Sequence, residues 1–253
     1  MKWLVVIPFV GATIAACGMA LNDSSAPMFY RAVLIAVALL TAGSAFITTS
    51  KFVFGDKLYA SWLFVGIGYT LSTIRYSLRL AAIIRGGGDL LPRTALDAML
   101  VLQNLAIAIA LLMFVLAWRS TGLSRAGWGP VLAGIVVALI VGGYPLIQGF
   151  QTRGADTVLL ISTLGDVVGI ALIVPLAQSA LAPRGGLLMY TWLYLALCEF
   201  CWMLYDIWLA VRDHLGAGAA TRAGVGVEQM IRVAAITFAF IATVAQRRAA
   251  PRS

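Results

Sequence analysis

The chain reads as long unbroken runs of apolar residues separated by short polar stretches. Eight runs approach or exceed the roughly 20 residues that a helix needs to cross a bilayer: 3–21, 30–49, 58–84, 95–118, 129–149, 157–181, 187–211 and 228–246. Apolar and polar positions do not alternate as they do along barrel strands, and a hydrocarbon core admits only helices or closed barrels. The pattern predicts an all-α, polytopic integral membrane helix bundle of eight transmembrane helices. It forms a single transmembrane domain over 1–253, with no soluble domain. Between the runs, Arg85 to Asp89 and Gly216 to Gly226 read as flexible turns.

Composition agrees: 62% of the residues are hydrophobic and 11% charged, against about 25% charged in a soluble domain. The net charge of +8 acquires a meaning once charges are sorted by side. The N-terminus, C-terminus and every second loop share Lys2, Lys51, Lys57, Arg119, Arg125, Arg184, Arg247, Arg248 and Arg252 against Asp56 alone. The opposite side balances Arg31, Arg85, Arg93, Arg153, Arg212 and Arg222 with Asp23, Asp89, Asp97, Asp156, Asp213 and Glu228. The positive-inside rule then places both termini in the cytoplasm and the chain in a bacterial inner membrane. The lipid bilayer, and no nucleic acid, is the expected partner of this charge.

Lys2 and the box Ile14-Ala15-Ala16-Cys17 look like a lipoprotein signal, but the apolar run continues through Leu21, which favours an uncleaved first helix. Cys198 and Cys201 form a CxxC within an apolar run, where they read as small interhelical residues rather than a zinc or redox pair. His214 is the single histidine. No span carries an interior lysine for a retinal Schiff base, and no Walker loop is present. No metal and no cofactor are expected. Without a nucleophile–base pair or a metal set, neither is an enzyme.

Six ionisable residues fall inside the spans or close to their ends: Arg75, Arg79, Asp166, Glu199, Asp206 and Arg232. A charge at mid-helix costs about 2.5–3.5 kcal/mol on insertion scales, so such groups pair or line a watery cavity. On the predicted topology all lie in the outer half or, for Glu199, near mid-membrane. Helical spacing groups them further. Ser72, Arg75 and Arg79 share one face, as do Glu199, Trp202 and Asp206; Ser162, Gly165, Asp166 and Gly169 share another; Glu228 and Arg232 are an i, i+4 pair. Asp97 and Asn104 share a face, with Gln103 adjacent, while Tyr69, Tyr144, Gln148 and Tyr205 lie at joining depths. The constellation is either a set of ion pairs fixing the bundle or a polar pocket opening to the outer, periplasmic face.

A 130-residue offset aligns Leu58, Trp62 and Leu63 with Leu188, Trp192 and Leu193. This raises a 4+4 parallel repeat with halves 1–125 and 126–253. From Tyr144-Pro145 through Leu164-Gly165-Asp166 to Trp202 and Tyr205-Asp206, about residues 140–212, the sequence resembles the multi-helix membrane input domains of bacterial sensor kinases and diguanylate cyclases. Those domains show a Tyr-Pro near a helix end, an Asp early in the next helix and another late in the following one. The resemblance implies a sensory role; with no output domain here, signalling would pass to a separate partner.

The expected function is therefore that of a receptor-like, sensory or accessory membrane protein whose outer pocket binds a small ligand, a lipid or a membrane partner protein. One-sided polarity disfavours a transporter, whose site is normally reached from both faces. A proton- or solute-coupled transporter nonetheless stands as the alternative, with Glu199 and the repeat in its favour. A structural subunit of a larger membrane complex is the third reading.

Overall fold

Seven of the eight apolar runs become helices close to where the pattern puts them. The computed structural model describes residues 4, 6–87, 90–120, 129–152, 165, 167–169, 171, 172, 175, 187–215 and 221–250. Asp166 and most of the predicted span 157–181 lie outside these residues, and for Tyr144 and Gln148 only the backbone is described. Among the described residues seven α-helices form: α1 (Val6–Cys17, continued by a 3-10 turn Gly18–Ala20), α2 (Ala26–Thr49), α3 (Lys57–Ile84), α4 (Arg93–Ser120), α5 (Gly129–Thr152), α6 (Leu187–Leu215) and α7 (Arg222–Ala249). No strand is assigned to any described residue. Between α5 and α6, residues 165, 167–169, 171, 172 and 175 are also helical.

Pro27 sits in the first turn of α2, where its missing N–H leaves no bond unmade. α3 ends in a turn that holds Gly86 and Gly87 at φ 88° and 105°, a region glycine enters freely; the turn expected after Arg85 is present. The other expected turn is partly corrected. α7 starts at Arg222, so residues 222–226 are helical rather than loop. Thr221 explains this, because its side-chain oxygen accepts a hydrogen bond from Gly224 N at 3.2 Å and so satisfies one orphan donor of the first turn. Gly226 lies directly against Met19, giving the first turns of α7 a tertiary contact.

Four stretches, Ala26–Thr49, Thr94–Ala117, Leu188–Leu209 and Ala223–Ala249, are long and apolar enough to cross a membrane. The outward faces suit lipid: Leu39, Leu40, Phe46 and Ile47 on α2, Leu102 and Leu105 on α4, and Leu132 and Ile140 on α5 are all exposed, more apolar surface than water favours.

The helices pack in the series α4–α3–α2–α7–α6. α2 lies against α3 and α7, α3 against α4, and α6 against α7, with α1 outside on α7 and α5 beside α6. α2 and α7 meet along a seam. Ala38 and Ala45 on α2 and Ala239 on α7 are buried on the faces that carry these contacts, and such small residues let helix backbones approach. Hydroxyls stitch the two helices. Thr41 Oγ1 lies 3.2 Å from Ile236 O and Thr48 Oγ1 3.2 Å from Thr243 O, Ser44 meets Thr243, and Arg247 Nη2 donates to Ser44 Oγ at 3.0 Å.

An aromatic stack joins α3, α4 and α6 in the half of the bundle where α3 and α6 begin. Trp62 and Trp192 both meet Phe114 edge-on, at centroid separations of 4.8 and 5.4 Å. All three rings are buried. The same three helices part in the opposite half.

Candidate functional site

The chemistry collects at the end of the bundle where α2, α4 and α7 begin and α3 and α6 finish. There, a cavity of about 300 Å³ lies between α3, α4, α6 and α7, with Arg31 of α2 reaching its wall. Its helices alternate in direction, so residues late in α3 and α6 meet residues early in α2, α4 and α7. Lengthwise, α3 carries Tyr69 deepest, then Ser72, Arg75, Tyr76 and Arg79 towards the mouth.

Ten of the residues singled out by spacing line this one space. Arg75, Arg79, Glu199, Trp202, Asp206 and Arg232 do so, together with Tyr69, Asn104, Tyr205 and Glu228. Asp166 lies outside the described residues, and so does the Tyr144 side chain; the neighbouring Gly165 is in the lining. Ser72 and Gln103 also contribute.

Two lining groups were not recognised in the sequence. Arg31 is counted there as a charge at a span edge, but α2 begins at Ala26 and carries it more than one turn into the helix. Tyr76 matters more, because it is the centre of the charged end. The guanidinium carbons of Arg31, Arg75 and Arg232 lie 6.0, 5.5 and 5.3 Å from its ring centroid. Arg232 Nη2 also donates to Tyr76 Oη at 3.0 Å and stands 5.5 Å from the centroid of the Tyr205 ring. Spacing held the clue, since Tyr76 follows Ser72 by four residues and so borders the Ser72–Arg75–Arg79 face.

The charges are unevenly answered. Arg232 has the expected partner, Glu228 Oε1 at 3.6 Å, and donates to Gln229 Oε1 at 3.3 Å. Gln229 in turn donates to Glu228 Oε1 at 3.1 Å, which holds that carboxylate in place. Arg75 is only 8% exposed, yet its Nε has no hydrogen-bond acceptor, and the same holds for Nη1 of Arg31 and Nε of Arg232. Buried polar atoms in folded proteins are nearly always bonded, so three such donors around one space ask for an explanation.

Glu199 occupies the other end of the cavity. It is 7% exposed and sits one residue after Cys198, whose Sγ is 3.6 Å from Tyr69 Oη. A Cβ built on Gly169 would fall 2.6 Å from Glu199 Oε2, so glycine at this position lets the helical segment after Gly165 approach the carboxylate. Gly68, opposite, is similarly crowded, because a Cβ there would fall 2.8 Å from Ile107 Cδ1. Trp208 Nε1 donates to Gly224 O at 3.2 Å, tying α6 to α7 near the mouth.

Chemically, the space offers guanidinium donors and aromatic faces at one end and a carboxyl group at the other, with Leu100, Ile107, Ala108 and Leu111 between them. Such a mixture of apolar wall and few convergent polar groups is the usual make-up of a small-molecule site. Among the described residues no group of three or more His, Cys, Asp and Glu side chains could hold a metal ion. The chain matches no protein-family model, no curated protein and no solved structure.

Proposed function

We propose that this protein is a receptor-like or accessory integral membrane protein that takes a small ligand into the polar cavity from one side of the membrane. The observation that carries the reading is the cavity itself. About 300 Å³ of space is lined by charged side chains from four helices and by Gln103 and Asn104 of a fifth, towards one end of the bundle, while in the other half Trp62, Phe114 and Trp192 pack together. Ion pairs alone would leave no such volume. On the sorting of lysine and arginine, the open end faces the periplasm of a bacterial inner membrane, with both termini cytoplasmic. Eight spans are supported by the seven helices together with the helical positions between 165 and 175. A sensory role would pass its signal to a separate membrane partner. The matched Trp62 and Trp192, both set against Phe114, are in keeping with a 4+4 repeat.

A thermal-stability screen of the purified chain against small solutes and short-chain lipids tests this reading. One ligand should raise the unfolding temperature saturably. The second reading, a proton- or solute-coupled transporter, is favoured by Glu199, which lies buried at the deep end without an ion pair to any described residue. Proton flux or uptake in proteoliposomes, abolished by Glu199→Gln, would establish transport and remove the receptor.

A further inference from the structure

We infer that the ligand of this cavity carries an anionic group, a phosphate or a carboxylate, seated between Arg31, Arg75 and Arg232 beside the Tyr76 ring. This rests on the ligand-binding reading above and narrows it to one chemical class.

The argument is one of charge balance. Three guanidinium groups lie within 6.0 Å of one ring centroid. The face of a tyrosine attracts each cation, but a neutral ring cannot cancel their charge or their mutual repulsion. Glu228 answers Arg232. Neither Arg31 nor Arg75 forms an ion pair with a described residue, and each keeps a buried N–H without an acceptor. An uncompensated buried cation costs several kcal/mol, and here the cost is multiplied by the like charges alongside.

Other acids in the lining do not fill the role. Glu199 sits at the level of Tyr69, six residues before Arg75 on α3, or about 9 Å along the helix axis. Asp206 and Glu228 have partners of their own. Among the described residues no further acid lines the space, so the negative charge is assigned to an occupant. A guanidinium presents donors and no acceptor, in a planar fork that fits two oxygens of a phosphate or carboxylate. A cationic ligand would be repelled from the same place.

The anion has two possible sources. It is free in water, or it is the head of an amphiphile. Arg31 also borders a second cavity of about 270 Å³, walled mostly by Gly18, Pro27, Tyr30, Ile83 and Val225, with Gln229 and with Asp23, which has a partner of its own. An acyl chain lodged there keeps its head within reach of Arg31.

The test uses the full chain in a neutral maltoside detergent, with thermal unfolding read against inorganic phosphate, dihexanoyl phosphatidic acid and choline chloride at matched ionic strength. Phosphate or phosphatidic acid is expected to raise Tm saturably, and Arg31→Gln or Arg75→Gln to weaken that binding about tenfold or more, as loss of a charge-assisted bond does. A shift with both probes assigns a free anion; a shift with phosphatidic acid alone assigns a lipid head. No saturable shift with either anion, or an equal shift with choline, overturns the proposal. Arg75→Lys, which keeps the charge but not the fork, should bind several-fold more weakly. Thr48→Val, in the α2–α7 seam, should move Tm without changing the phosphate Kd, which separates lost binding from lost folding.

Leu209→Cys, in a chain with Cys17, Cys198 and Cys201 changed to Ser, reports access to the mouth independently. Protection from a water-soluble thiol reagent removes the ligand-binding reading and the anion with it. Free labelling without any anion effect removes the anion alone.

Discussion

The α2–α7 seam and the arginine cavity lie on either side of α7, yet they handle polar atoms in opposite ways. In the seam the hydroxyls are answered across a short gap: Thr41 and Thr48 place theirs on carbonyl oxygens and Ser44 meets Thr243, with Nε of Arg247 the one guanidinium donor left without an acceptor among the residues named there. At the cavity, long cationic side chains converge on a tyrosine and leave donors unanswered. The same helix supplies Thr243 to one and Arg232 to the other. Polar groups in the seam act as glue, whereas those at the cavity, on the reading proposed above, are kept for a ligand. Stability and ligand affinity should therefore respond differently to substitution in the two places.

Arg232→Ala is expected to have the largest effect, because it removes the bond to Tyr76 and leaves Glu228 poorly compensated. A loss of about 3–5 kcal/mol is typical when one partner of a buried pair is deleted, read as a collapse of thermal stability in detergent. Ala239→Leu attacks the seam instead. Extra methylenes at a buried helix contact should cost about 1–3 kcal/mol, with anion affinity unchanged wherever the variant folds. Arg75→Met is the sharpest contrast, because its sign should reverse. Without ligand, replacing an unpaired buried cation by an apolar chain should leave stability unchanged or raise it by about 1 kcal/mol, while ligand stabilisation disappears. A marked loss of stability in the ligand-free variant would show that Arg75 is structural and would erase the contrast. Thr48→Val is the mildest, at about 0.6 kcal/mol for an interhelical hydroxyl bond in a membrane protein.

The apolar runs made the helices legible because a bilayer-length hydrophobic run has one stable conformation. The starts of α2 and α7 were less so. Ser25 and Thr221 precede helices whose first turns carry Pro27 or Gly224, and composition alone reads those residues as loop. In the cavity, the stripe Ser72, Arg75, Arg79 and the stripe Glu199, Trp202, Asp206 were visible because helical periodicity is a local property. Their meeting partners were not. Tyr76 became the centre only because α7 brings Arg232 to its hydroxyl and α2 brings Arg31 to its ring. That depends on which helices are neighbours, and no spacing within one helix encodes it.

The aromatic stack of Trp62, Phe114 and Trp192 has an electrical consequence. A polar cavity above a packed aromatic layer is closer in potential to the solution it opens into than to the far side, so most of the transmembrane voltage would fall across that layer. Carrying a full elementary charge through 100 mV is worth about 2.3 kcal/mol. An anion that reaches Arg75 without passing the stack crosses little of that field. Its affinity should therefore be nearly the same in an energised cell as in a detergent micelle.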